Sequence, residues 1–202
     1  MTTARRPNLQ RQAGFTLIET LIVLAVIGIL ALITAPAFLG MINRFKLTGT
    51  TREVASLMQA ARMEAIKMNA PTQVNYDATS NSFIAFVDLD RDNVLTVPPD
   101  RILAGNAVLP RKIFFEGPGD GAPNGANAID GWDDAPSRLG PIFRPDGSAD
   151  RVGAFRLKDV NDNYLEVRIE TPATGRIVLR KRDRDDGIFY MNGESGHKWL
   201  WY

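Results

Sequence analysis

Residues 20–43 carry no charged side chain, an uninterrupted run of 24 residues rich in Leu, Ile, Val and Ala. About 20 apolar residues cross the hydrocarbon of a bilayer as a helix, which satisfies every backbone polar group within the segment. The run therefore predicts a membrane-crossing helix close to the N-terminus. A cleaved secretory signal is the competing reading. Its apolar core would be shorter, about 7–15 residues, and Ala35-Pro36-Ala37 at the far end supplies no obvious cleavage context. One acid, Glu19, stands immediately before the run. An ionised carboxylate at membrane depth is costly unless it is paired, so Glu19 needs either a partner or a route to water.

Charge alone does not orient the helix. Arg5, Arg6 and Arg11 precede the run, and Arg44, Lys46 and Arg52 follow it, a tie under the positive-inside rule. Residues 43–202 hold 21 basic and 22 acidic side chains, so no basic excess draws that part to nucleic acid or anionic lipid. The chain has no cysteine, which excludes a disulfide framework, a thiol nucleophile and a thiolate metal centre.

The helix is predicted to continue past the apolar run. Val54, Leu57, Met58, Ala61, Ala65 and Met68 recur at steps of three and four, with Arg52, Ser56, Gln59 and Lys67 on other faces. That spacing lays one apolar stripe on a core. Asn69-Ala70-Pro71 ends it. Beyond Pro71 the period changes. The runs TQVNYD, SFIAFVDL, AVLPRKIFFE, PIFRPD, GAFRLKD, YLEVRIET and GRIVLRKR are short and separated by Asn, Asp, Gly and Pro, as antiparallel strands are. Leu165, Val167 and Ile169 alternate with Glu166, Arg168 and Glu170, which predicts a half-buried strand. Residues 117–141 hold six glycines and four prolines and predict a long mobile loop.

The stretch RQAGFTLIETLIVLAVIGILALITAP resembles the class III leader of type IV pilins and pseudopilins. The resemblance implies cleavage by prepilin peptidase between Gly14 and Phe15, with N-methylation of Phe15. It makes Glu19 the assembly acid and places the leader in the cytoplasm. Gly28 and Pro36 fall at the family's soft points, where the helix often unwinds in a filament. Physical chemistry supports that role for Glu19. Cleavage creates an amine at Phe15, and Glu19 of a neighbouring subunit in the same apolar layer could pair with it strongly where the dielectric is low. A Glu at the membrane edge reaching to water is the alternative.

Later motifs extend the resemblance. Phe143-Arg-Pro145-Asp-Gly147, LEVRIE, and Gly175-Arg176 before a hydrophobic strand are similar to the GspH/FimT group of minor pseudopilins, as is FVDLDRDN after the helix. The fold implied is α+β and type IV pilin-like. A leader (1–14) would precede a transmembrane assembly helix (15–43) and its amphipathic extension (44–70). A periplasmic β-rich domain (71–202) would follow, with its mobile loop at 117–141.

Three clusters bear on chemistry. Asp88, Asp90 and Asp92 alternate as oxygen ligands of a hard cation do, but Asn93 stands where a calcium loop has Gly, and Pro99 where it has Glu. A solvated acidic turn is the expectation, with neither metal nor cofactor. His197 is the sole histidine and supports no catalytic or metal constellation. Arg180, Lys181, Arg182 and Arg184, with Trp199, Trp201 and Tyr202 beyond, could grip DNA, as FimT-like pilins of competent bacteria are thought to do. Asp183, Asp185 and Asp186 interleave and cancel much of that field.

The expected function is assembly without catalysis. The chain reads as a minor pseudopilin of a type II secretion system, anchored in the bacterial inner membrane, at or near the pseudopilus tip. Its partners would be other pseudopilins or pilins through the N-terminal helix, with prepilin peptidase as processing enzyme. The alternative is a FimT-like minor pilin of a type IV pilus that binds DNA during uptake.

Overall fold

The computed structural model describes residues 15–103, 105–119, 127–132 and 139–199. The leader with Gly14, and Trp201 and Tyr202, lie outside the described residues. The chain divides into two units, residues 1–39 and 40–202, and helix α1 (Leu17–Met68) has residues in both.

In the first unit α1 opens on a side-chain cap. Thr16 Oγ1 accepts the Glu19 backbone N–H at 3.3 Å, which satisfies one of the amides that a helix start leaves without a partner. The hydroxyls that follow turn back on their own helix: Thr20 Oγ1 donates to the Leu17 carbonyl at 2.7 Å and Thr34 Oγ1 to the Leu30 carbonyl at 2.9 Å. These two hydroxyls are thus satisfied within a segment whose large apolar side chains, from Leu17 to Ile33, are all exposed, and where Glu19 is the one charged side chain. This helix is long and apolar enough to cross a membrane. Pro36 lies inside it and has no N–H, so the Leu32 carbonyl lacks its usual helical donor.

In the second unit α1 buries Leu47, Val54, Leu57, Met58, Ala61 and Ala65. This is the predicted stripe extended about two turns earlier by Leu47, while Met68 is only half-buried. The helix stops as predicted. Asn69 takes the left-handed conformation (φ 51°) and the Ala70 N–H reaches back to the Ala65 carbonyl at 3.3 Å, a Schellman-type end with Asn in the place usually held by Gly.

Two antiparallel sheets complete the unit. The first contains β1 (Thr72–Asp77), β2 (Ser82–Val87), β3 (Arg101–Ile102), β4 (Ala107–Val108) and β7 (Ile142–Phe143), ordered β3-β2-β1-β7 with β4 also on β2. The second contains β5 (Ile113–Phe115), β6 (Ile129–Asp130), β8 (Gly153–Asp159), β9 (Tyr164–Thr171), β10 (Arg176–Arg182) and β11 (Phe189–Tyr190), ordered β11-β10-β9-β8-β5 with β6 also on β8. The inner faces and the helix stripe share one core, in which Phe83, Phe143, Phe155, Leu157, Val167 and Ile169 are essentially sealed. Trp132 belongs to this core. It is fully buried and meets the Phe155 ring edge-on with centroids 4.9 Å apart. The segment read as a loop at 117–141 thus contributes a strand and a core residue through 127–132, while 120–126 and 133–138 lie outside the described residues.

The motif glycines meet at the helix. Gly147 (φ 80°) closes the turn after Phe143 by donating to the Arg144 carbonyl at 2.9 Å, and its own carbonyl accepts Arg62 Nε at 2.8 Å. Gly175 (φ 58°) lies against the same pair: a Cβ there would sit 2.6 Å from the Gly147 oxygen and 2.8 Å from Arg62 Nε. Left-handed backbone and contact with a carbonyl both demand glycine. Gly175→Ala is expected to cost about 2–3 kcal/mol, read as a lower melting temperature, whereas Arg62→Met should cost less. A Gly175→Ala variant as stable as the native chain would contradict this packing.

Candidate functional site

Gly14 of the N-terminal motif is outside the described residues. Phe15 precedes the helix and is 83% exposed. Glu19 sits in the first turn of α1, exposed, and forms no ion pair with a described residue. Thr16-Leu-Ile-Glu19 also matches a capping box, in which the acid at the third helical position supports the helix start. Thr16 makes its half of that exchange. The acid at residue 19 therefore has both a local structural use and a charge without an ionic partner in its own described chain. At Gly28 a Cβ would meet nothing within 4 Å, so the glycine reflects backbone freedom rather than close packing.

The basic residues of the C-terminal region do not converge. On β10, Arg180 and Arg182 point to one side of the sheet and Lys181 to the other, because side chains alternate along a strand. Arg180 pairs with Glu170 at 2.8 Å. Arg182 lies over the Tyr164 ring at 5.6 Å. Arg184 donates to the Asn161 carbonyl at 2.9 Å and to Asn163 Oδ1 at 2.8 Å. Burial pushes the Lys181 ammonium below its ordinary range. Arg180, Arg182 and Arg184 each have a partner within the fold.

His197 closes the same end. Its Nδ1 lies 2.7 Å from Asp183 Oδ2, and its ring stacks on Tyr190 with centroids 3.8 Å apart. Asp183 is held below the usual carboxylate range by the Asp185 N–H and by His197. The histidine fastens the segment after β10.

A buried charge network was not foreseen. The β8–β9–β10 register aligns Arg156, Glu166 and Arg180 across the sheet. Arg156 is fully buried and Glu166 is 1% exposed. Arg156 Nε donates to Glu166 at 3.2 Å, Nη1 to the Asn127 carbonyl at 3.0 Å and Nη2 to Asp130 at 3.1 Å. Arg168 also reaches Asp130, at 3.0 Å. Burial pushes the Glu166 carboxyl up, while the guanidinium groups of Arg156 and Arg168 draw it back. On this face the Arg156 guanidinium lies 5.2 Å from the ring centre of Phe189 of β11, and Asp130 comes from β6, the strand paired beside β8. A cavity of about 400 Å³ remains beside it, lined by Asp130, Glu166, Arg168, Arg180, Tyr190 and Glu194 among others.

The acidic residues do converge. Asp88, Asp90 and Asp92 come together with Asp100, one carboxylate oxygen from each lying within 4.8 Å of all the others. Asp100 was missed because it falls one residue beyond Pro99, the position at which a calcium loop would carry its Glu.

Comparison with known proteins follows the same division of the chain. A model of the prokaryotic N-terminal methylation motif matches residues 9–35, and the model of type II transport protein GspH matches residues 50–175. Two fimbrial proteins of Pseudomonas aeruginosa are each 37% identical over 75 residues, 34% of this chain and 49% of theirs. The type IV major alpha-pilin of Moraxella bovis is 33% identical over 93 residues, 46% of this chain and 57% of its own. The chain thus spans about half the length of the curated relatives it matches. No solved structure matches it.

Proposed function

Since the chain belongs to the type II transport protein GspH family, we propose that it is a minor pseudopilin of a type II secretion system, a structural subunit at or near the pseudopilus tip. The observation that carries this reading is the succession, in one chain, of a prepilin-type N-terminus and a GspH domain. The methylation motif implies processing by prepilin peptidase and assembly with other pilin-like subunits. The apolar half of α1 anchors the protein in the membrane. In this reading Gly14 and Phe15 flank the cut, the leader is cytoplasmic, and residues 44–202 lie in the periplasm. Family and fold both point to a structural protein rather than an enzyme. Gly28 and Pro36 serve as the places where the helix yields when subunits pack.

A second reading, a minor pilin of a type IV pilus, draws support from relatives that are themselves fimbrial or type IV pilin proteins. The engagement of Arg180, Arg182 and Arg184 within the fold weighs against DNA binding as its purpose.

Two measurements test these readings. Mass spectrometry of the membrane-extracted protein should find N-methyl-Phe15 as the first residue; an intact Met1 or a cut near Ala37 would end the pilin-type reading. Deleting the gene should abolish export of the secretion substrates and leave surface pili intact. Loss of pili with normal export would transfer the protein to the second reading.

A further inference from the structure

We propose that Asp88, Asp90, Asp92 and Asp100 form a calcium site at the base of the β2–β3 hairpin. Strand register brings the two deepest members together. Val87 pairs with Arg101 and Phe86 with Ile102 in this antiparallel ladder, so Asp88 and Asp100 stand opposite each other where the hairpin opens into its loop. Like charges directly across a strand pair are destabilising, and here both are buried, at 2% and 4% exposure. No ion pair joins any of the four carboxylates to a Lys or Arg among the described residues.

Asp88 carries the decisive observation. One oxygen, Oδ2, accepts the Asn93 N–H at 3.0 Å. The other, Oδ1, is sealed from solvent and has no hydrogen-bond donor. A buried carboxylate oxygen with no partner is rare and costly. Asp100 is held rigidly by contrast. Its Oδ1 accepts the Leu89 N–H at 2.8 Å and its Oδ2 the Thr96 N–H at 2.9 Å, and each oxygen keeps a further lone pair. Asp90 and Asp92 are exposed and bring their charges from the loop above.

The dimensions admit calcium. Oxygens about 2.3–2.6 Å from a central ion can be no more than about 4.6–5.2 Å apart, whereas magnesium at about 2.1 Å allows only about 4.2 Å. The four oxygens lie within 4.8 Å of one another. Four carboxylates leave the remaining calcium positions to water or loop carbonyls, as flexible calcium coordination permits.

The test uses the full chain in detergent micelles, stripped with chelator and titrated calorimetrically with CaCl2 and, separately, MgCl2. Calcium should bind at one saturable site with a dissociation constant of about 10⁻⁵–10⁻³ M, from the weak end of sensor sites to that of extracellular modules. It should also raise the melting temperature. The variant D90N/D92N, altered only at exposed positions, should fold normally and bind at least about tenfold more weakly, a loss of about 1.4 kcal/mol. D100N should weaken binding as well. Three results would overturn the proposal: no saturable heat up to about 10 mM CaCl2, well above that range; native affinity in D90N/D92N; or magnesium bound as tightly as calcium.

Discussion

Arg156→Ala is expected to lower the stability of the folded chain by about 3–5 kcal/mol, the cost of leaving a buried charge without its partner. Arg156 has no exposed surface, and three of its nitrogens are committed to Glu166, Asp130 and the Asn127 carbonyl. Truncation leaves the Glu166 carboxylate, itself buried, with only the more distant Arg168 at 3.8 Å. It also releases the 127–130 segment that carries β6. Glu166→Ala should be comparably damaging, because the buried guanidinium then loses its main anion. The double variant Arg156→Met/Glu166→Leu removes both charges and restores volume, so it should lose much less than the two single losses combined. Asp130 would keep its pair with Arg168. Chemical unfolding in micelles, followed by tryptophan fluorescence, measures all three. Additive losses would show that Arg156 and Glu166 act independently, against the geometry described above.

The Arg156 network shows where sequence reasoning stops. The alternation of Leu165, Val167 and Ile169 with Glu166, Arg168 and Glu170 correctly separates two faces of β9, since period two is fixed by the pleat. Alternation cannot say what covers the second face. The side chains of Asp130 and Phe189 meet it, and their strands β6 and β11 have two residues each, too few to show any period. β3 escaped for the same reason. Trp132 was hidden in a window dominated by Gly and Pro, where composition spoke for a loop. The helix was more legible because its stripe repeats over many turns, and Asn69 marked its end by its tolerance of left-handed backbone. At the acidic loop the first three carboxylates could be read directly. Asp100 needed the β2–β3 register, which is a property of pairing and not of spacing.

Replacing Glu19 is expected to separate two uses of one carboxylate. At the third helical position of a capping box, Glu19 would support the helix start that Thr16 Oγ1 already caps by accepting the Glu19 N–H. As an assembly acid it would pair with the amine of Phe15 in a neighbouring subunit. The two uses differ in what they require. Capping needs an acceptor that reaches the backbone, which Gln supplies nearly as well as Glu. Pairing with an amine in a low-dielectric layer needs the negative charge itself. Glu19→Ala should lower incorporation into sheared filaments by about tenfold or more, equivalent to about 1.4 kcal/mol or more per subunit contact. Membrane insertion and leader cleavage should be unaffected, as immunoblots of the mature form would show. Glu19→Gln then decides between the uses. If pairing governs, Gln assembles as poorly as Ala; if Gln restores assembly, the acid acts through its own helix, and the amine at Phe15 must find another partner.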